Sequence, residues 1–172
     1  MRKDRTGKPA ENRGREARAR RLLFLIPAAV IALDRVTKAA AAGLAGPVTL
    51  IPGVIGLRYA ENTGMAFSLF AGRSWLLGIL TLLILSGGAL AFRRLRPGTL
   101  ALTGALLILG GGLSNAADRL FLGYVPDMIE LLFVRFAVFN AADVSVCAGA
   151  FLCAISLLFR PQDWHGEEER NG

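Results

Sequence analysis

The chain has 172 residues, the length of one domain, and combines 53% apolar residues with a formal net charge of +7. The charges are segregated, because nine of the twenty lysines and arginines lie within the first 21 residues. This pattern is typical of an integral membrane protein, and it is better explained by the positive-inside rule than by nucleic-acid binding. With one histidine and two cysteines, the chain offers no zinc ligand set, and we predict no metal or cofactor.

The N-terminal part of the chain changes abruptly from basic to apolar. Residues 1–21 lack hydrophobic periodicity and predict a disordered tail. The first apolar segment, about residues 22–42, contains charged residues and is followed by further apolar segments, which favours a retained anchor over a cleaved signal peptide. Asp34 and Lys38 lie one helical turn apart on one face of this segment. They predict either a buried ion pair that fixes packing or the lining of a polar cavity.

The next stretch, residues 43–74, has turn signals at Gly46-Pro47 and Pro52-Gly53. Between and after these turns lie short β-prone pieces at residues 48–51, 54–59 and 65–70. We predict a small sheet on the membrane surface, whose exposed apolar side chains suit contact with lipid or an apolar substrate.

Three more apolar segments follow, at about residues 75–92, 99–117 and 139–159. Each is near the roughly 20 residues needed to cross a bilayer. The predicted fold class is an all-α membrane protein with four transmembrane helices and a small extracytoplasmic β-sheet between helices 1 and 2. The predicted four-helix domain spans residues 22–160, between the basic tail (1–21) and a polar cytoplasmic tail (161–172).

The predicted topology brings distant polar residues to one membrane surface. Four spans place both termini on one side, together with the arginines of the loop at residues 93–96 and Arg160, and this side should be cytoplasmic. Six polar side chains then lie at the extracytoplasmic face: Asp34, Lys38, Asn62, Asp118, Asp127 and Asp143.

Two carboxyl groups at one surface can perform acid–base chemistry. When they lie close together, one retains its proton, and the pair can hydrolyse a peptide bond with a water molecule, without a metal or a nucleophilic serine. The alternative is that these aspartates cap helices or pair with arginines. Asn140 in particular predicts a helix N-cap, with Asp143 in the first turn. Two other classes remain open: a structural subunit, or a small proton-coupled membrane transporter or relay whose polar track would include Asp34, Lys38 and Asp143.

Five motifs follow one another along the chain: Asp34-Arg35-Val36-Thr37-Lys38, Asn62-Thr63-Gly64-Met65-Ala66-Phe67, Asn115-Ala116-Ala117-Asp118-Arg119, Val125-Pro126-Asp127 and Phe139-Asn140-Ala141-Ala142-Asp143. In this order they resemble the motifs of bacterial lipoprotein signal peptidase, signal peptidase II. The resemblance covers about residues 22–159. It implies an aspartic endopeptidase of the bacterial cytoplasmic membrane that cleaves prolipoproteins just before a diacylglyceryl-modified cysteine. The implied partners are lipidated prolipoprotein signal peptides and membrane lipids, and we expect a monomer.

The resemblance also implies roles for individual residues. Asp127 and Asp143 match the catalytic aspartates of the family. Asp118 matches a supporting aspartate, which we expect to hold Arg119 and the loop. The residues that match the substrate-binding set are Asn62, Asn115, Arg119, Asn140, Asp34 and Lys38. Three residues depart from the usual motifs: Ser114 replaces a glycine, Pro126 a valine and Met128 a phenylalanine.

Overall fold

The computed structural model describes residues 18, 20–64, 73–95 and 97–164 of the chain. Most of this part is helical, and the helices alternate with strands of one small sheet. The helices are α1 (Ile26–Ala42), α2 (Ser74–Leu95), α3 (Thr99–Phe121) and α4 (Ala141–Phe159), followed by a 3-10 helix at Pro161–Trp164. The strands are β1 (Val48–Ile51), β2 (Ile55–Asn62) and β3 (Val125–Leu131). The strand predicted at residues 65–70 lies outside the described residues.

Three helices are long and apolar enough to cross a membrane: Ser74–Arg93 within α2, Thr99–Phe121 and Ala141–Phe159. They correspond to the second, third and fourth predicted segments. Helix α3 continues to Phe121, beyond the predicted end near residue 117, so the asparagine–aspartate motif of this segment is helical. Helix α1 has 17 residues and carries the charged motif of the first segment.

Helix α3 lies at the centre of the bundle and packs against α1, α2 and α4. Glycines allow α3 and α4 to approach backbone to backbone. A Cβ atom at Gly104 would lie 2.6 Å from the carbonyl oxygen of Gly149, and a Cβ atom at Gly111 would overlap the carbonyl oxygen of Ala142. Small residues at these positions therefore place the beginning of α4 directly against α3.

The three strands form an antiparallel sheet in the order β1-β2-β3. The prediction of a sheet formed between the first two helices is incomplete. Strands β1 and β2 lie there in the sequence, but β3 lies in the connection between α3 and α4. The strand signal there is weak, since Pro126 and Asp127 are both residue types depleted in strands. Pro126 is tolerated in β3 because this strand is the last in the sheet.

A short link ties the sheet to the beginning of α4. The backbone N–H of Ile129 donates to the carbonyl oxygen of Phe139 at 2.8 Å, and the N–H of Phe139 donates back to Ile129 at 3.1 Å. On its other side β3 pairs with β2, where Ala60 lies opposite Asp127. The residues that precede α4 are thereby fixed beside Asp127.

Candidate active site

Asn140 and Asp143 form a reciprocal cap at the beginning of α4. The side-chain Oδ1 of Asn140 accepts the backbone N–H of Asp143 at 2.9 Å, and Oδ2 of Asp143 accepts the backbone N–H of Asn140 at 3.1 Å. This capping box confirms the predicted N-cap. The other oxygen of Asp143 accepts a hydrogen bond from Nδ2 of Asn115, on α3, at 2.8 Å. Both oxygens of the Asp143 carboxylate are thus held in place.

Asp127 lies on β3 and is 2% exposed. Its Oδ1 accepts a hydrogen bond from Nδ2 of Asn140 at 2.6 Å, and its Oδ2 accepts one from Nδ2 of Asn62, on β2, at 3.0 Å. Asn140, which is completely buried, therefore contacts both aspartates at once. The sheet supplies one carboxyl group, helix α4 supplies the other, and a single asparagine joins them.

Burial raises the pKa of Asp127 to about 6, and the negative charge of Asp143 contributes to this increase. Hydrogen bonds from Asn62 and Asn140 and the charge of Lys38 act in the opposite direction. Asp127 therefore holds a proton at pH values where an aspartate in water is ionised. The electrostatic influence of Asp143 also indicates that the two carboxyl groups are close enough to be coupled.

A buried ion cluster lies next to the aspartate pair. Lys38 is 5% exposed, and its Nζ donates to Oδ2 of Asp34 at 2.6 Å, to Oδ2 of Asp118 at 2.7 Å and to Oδ1 of Asn115 at 2.9 Å. These three contacts use the full donor capacity of an ammonium group. Of the two predictions for Asp34 and Lys38, the structure shows the buried ion pair. Asn115 belongs to both groups, because its Oδ1 also accepts a hydrogen bond from Asn140 at 3.2 Å.

Asp118 is held by helix α1. Its two oxygens accept hydrogen bonds from the guanidinium of Arg35 at 2.5 Å and 2.7 Å, a bidentate arrangement. Among the described residues, the side-chain hydrogen bonds of Asp118 go to Arg35 and Lys38. The interaction of Asp118 with Arg119 is electrostatic. Asp118 thus joins α3 to α1.

The sequence analysis missed two members of this cluster, Arg35 and Ser114. The hydroxyl of Ser114 donates to Oδ2 of Asp34 at 2.6 Å and accepts a hydrogen bond from Arg35 at 3.0 Å. In the sequence, Ser114 stands out only as a departure from the family motif, and Arg35 only as a motif member. A charged residue next to Asp34 in the first motif was the available signal, but its partners on α3 are about 80 positions away.

Arg119 lies near the aspartates without being fixed by them. Its guanidinium interacts electrostatically with Asp143, Asp127 and Asp118. Its Nε is buried and has no hydrogen-bond partner among the residues that the structure describes. The site therefore contains a cation with a donor still available, beside two coupled carboxyl groups.

The sequence of the chain matches a known family. The family model of Signal peptidase (SPase) II matches residues 26–159. The chain belongs to the signal peptidase II family. The lipoprotein signal peptidase of Streptococcus pyogenes serotype M5 (strain Manfredo) is 38% identical to it over 146 residues, 80% of this chain and 93% of the relative. That of Latilactobacillus sakei subsp. sakei (strain 23K) is 37% identical over 118 residues, 68% of this chain and 78% of the relative.

Two solved structures resemble the fold of this signal peptidase II. A bacterial membrane enzyme determined by the in meso method at 2.3 Å is 28% identical, with a TM-score of 0.74, over 80% of this chain and 87% of that one. A second, at 1.9 Å, is also 28% identical, with a TM-score of 0.73, over 81% and 94%. The chain is thus a membrane peptidase whose family removes signal peptides from prolipoproteins, as the resemblance predicted. The transporter alternative is not supported.

Proposed function

We propose that this signal peptidase II is an aspartic endopeptidase in which Asp127 and Asp143 are the catalytic pair. The observation that carries this proposal is the position of Asn140, which donates to Asp127 and forms the reciprocal cap with Asp143. Two carboxyl groups on either side of one asparagine are coupled, so they titrate as a pair and can share one proton. The scissile bond is the one just before the diacylglyceryl-modified cysteine of a prolipoprotein.

We assign the shared proton of the pair to Asp127, which is 2% exposed on β3 and whose pKa is raised by burial to about 6. Asp143, which receives hydrogen bonds from Asn115 and from the backbone of Asn140, is the charged member. In the reaction, Asp143 takes a proton from a water molecule as the water oxygen attacks the peptide carbonyl, while Asp127 donates its proton to the carbonyl oxygen. The C–N bond then breaks as the proton held by Asp143 passes to the leaving nitrogen, and one hydroxyl group of the intermediate returns a proton to Asp127 as the new carboxyl group forms.

The remaining polar residues divide into substrate-binding and positioning groups. Arg119 binds substrate, because its Nε has no partner among the described residues. The amides of Asn62, Asn115 and Asn140 orient the two catalytic carboxyl groups and line the same pocket.

Asp34 and Lys38 on α1 are positioning residues. Asp34 is completely buried and Lys38 nearly so, and their hydrogen bonds go to groups on the protein. We propose that both residues act by holding α1 against α3 and α4, with Asp118 as structural support, so that their part in substrate binding is indirect.

The proposed topology places both termini in the cytoplasm and the aspartates at the extracytoplasmic face of the inner membrane. Helix α1 is the fourth span of the 22–160 domain, with a length of about 26 Å at 1.5 Å per residue. The aspartate pair, the sheet and the C-terminal end of α3 lie at one end of the bundle, while Arg93 and Arg160 lie at the other. In β1, Leu50 and Ile51 are more than half exposed, as expected for a strand on a lipid surface. We propose a monomer, flanked by polar tails at 1–21 and 161–172.

A cleavage assay tests the aspartic type. The purified chain is incubated with a prolipoprotein that carries the diacylglyceryl group and with the same protein lacking it, and products are identified by gel shift and mass spectrometry. Cleavage just before the modified cysteine, unchanged by a chelator or by serine- and cysteine-directed reagents, supports the proposal. Loss of activity with the chelator or with either reagent would contradict it.

A further inference from the structure

A cavity lies at the end of the bundle opposite the aspartates. It has a volume of ≈ 430 Å³ and is formed where the last turns of α2 meet the first half of α3. The walls are aliphatic and aromatic, and two arginines, Arg20 and Arg93, complete the lining. The wall residues include Phe24, Leu85, Gly88, Phe92, Leu106 and Leu109.

Arg20 and Arg93 give the cavity lining its positive charge. Both are exposed, and Arg20 is oriented by a hydrogen bond from its Nη2 to the carbonyl oxygen of Pro97 at 3.1 Å. Nearby, Trp164 packs edge-on against Phe92, with ring centroids 5.4 Å apart. The indole Nε1 of Trp164 is buried without a hydrogen-bond partner among the described residues. This end of the cavity therefore offers two guanidinium groups with an unpaired indole donor close by.

The cavity has the volume of an ordinary small-molecule site, about 300–1,000 Å³. Its chemistry selects a ligand that is apolar over most of its length and anionic at one end. An acyl chain suits the walls, and a phosphate suits guanidinium groups, which bind it through several parallel hydrogen bonds. Basic pockets between transmembrane helices on the cytoplasmic side are a recurrent form of anionic lipid site.

We propose that this cavity binds an anionic phospholipid of the cytoplasmic leaflet. One acyl chain lies against Leu85, Gly88 and Leu106, and the phosphate lies between Arg20 and Arg93. The choice of leaflet rests on the topology proposed above. The catalytic assignment of the aspartates does not enter the argument, so the lipid site and the catalytic pair can fail independently.

Two adjacent glycines provide a matched test of the cavity. A Cβ atom added at Gly87 or at Gly88 meets nothing within 4 Å, so a side chain can begin at either position without a clash. Of these two described glycines, Gly88 lines the cavity and Gly87 does not. Gly88→Leu should fill the cavity, and Gly87→Leu serves as the control. Binding is measured by native mass spectrometry of the purified full chain, with phosphatidylglycerol and phosphatidylcholine of identical acyl chains.

The wild-type protein should prefer phosphatidylglycerol over phosphatidylcholine by about 25-fold, since each of the two arginines contributes about fivefold. The double variant R20Q/R93Q should lose this preference, while R160Q, on the same side of the bundle, should keep it. Gly88→Leu should weaken binding of both lipids at least fivefold, and Gly87→Leu should leave it unchanged. Equal binding of the two lipids by the wild type, a preference that survives R20Q/R93Q, or unchanged binding in Gly88→Leu would overturn the proposal.

Discussion

The carboxylate of Asp34 on α1 accepts the backbone N–H of Ala142 on α4, with a distance of 3.0 Å between Oδ1 and the nitrogen. The first N–H groups of a helix have no partner within the helix, so a carboxylate from a neighbouring helix can cap them. Asp143 is the next residue after Ala142. A displacement of α1 would therefore displace the beginning of α4, and with it the carboxyl group of Asp143, which we propose as the catalytic base.

Two substitutions at Asp34 separate its charge from its capping role. Asp34→Asn retains an oxygen for the N–H of Ala142 but removes the charge opposite Lys38. Asp34→Ala removes both and leaves a buried N–H without a partner, which costs about 1–3 kcal/mol in addition. We expect a lower Tm in both variants, a larger decrease in Asp34→Ala, and a lower kcat with little change in KM for Asp34→Ala. Equal Tm and kcat values in the two variants would show that the contact with Ala142 has no positioning role.

Asp118→Asn should reduce stability more than intrinsic catalysis. The substitution removes the charge that binds Arg35 and Lys38, and breaking a buried ion pair from one side costs about 3–5 kcal/mol. The expected result is a Tm lower by several degrees or a lower yield, with cleavage per folded molecule retained. Thermal unfolding in detergent and turnover normalised to the folded fraction measure the two effects. An Asp118→Asn protein that is fully stable but inactive would mean that Asp118 belongs to the catalytic pair.

The raised pKa of Asp127 predicts a specific dependence of stability on pH. In the unfolded chain this carboxyl loses its proton near its ordinary pKa of 3.8, and in the folded protein near 6. The folded state binds more protons between these values, so the contribution of Asp127 to stability is present below about pH 4 and is lost as the pH rises through about 6. The Tm of Asp127→Asn minus that of the wild type should therefore increase between pH 4 and pH 7. A difference that is constant with pH would contradict the raised pKa.

Gly111 tests whether the contact between α3 and α4 determines the site. A Cβ atom at this position overlaps the carbonyl oxygen of Ala142, so Gly111→Ala must displace the beginning of α4. We expect a loss of about 1–3 kcal/mol in stability and a clear decrease in kcat. Gly87→Ala on α2 is the control, because its Cβ meets open space, and it should lower neither stability nor kcat. Normal cleavage by Gly111→Ala would show that the site tolerates displacement of α4.

Local patterns predicted the helices and the cap of α4 well. The apolar segments predicted α2 and α4 to within a few residues, because the bilayer imposes a length that is visible in the sequence. The N-cap Asn140 and the first-turn Asp143 were also predictable, since capping depends on residues three positions apart. The pairing of Asp34 with Lys38 follows from the helical spacing in the same way.

Contacts between distant parts of the chain were less predictable. Strand β3 has little strand propensity of its own and forms because β2 and Phe139 pair with it on its two sides. The bidentate pair of Arg35 and Asp118 depends on the packing of α1 against α3, which no local pattern encodes. The bridging role of Asn140 was likewise hidden, because its contact with Asp127 requires the sheet to be in place.

The most direct test of the account is the turnover of the isosteric variants Asp127→Asn and Asp143→Asn on a lipidated prolipoprotein. Each variant is purified and shown by thermal unfolding to be folded, and Glu130→Gln, on the same strand as Asp127, serves as the control. Both aspartate variants should lose cleavage by at least about 1,000-fold, on the order of the 10²–10⁴-fold contribution of acid–base groups, whereas Glu130→Gln should retain it. Wild-type turnover by either folded aspartate variant would show that the two carboxyl groups joined by Asn140 are not the catalytic pair.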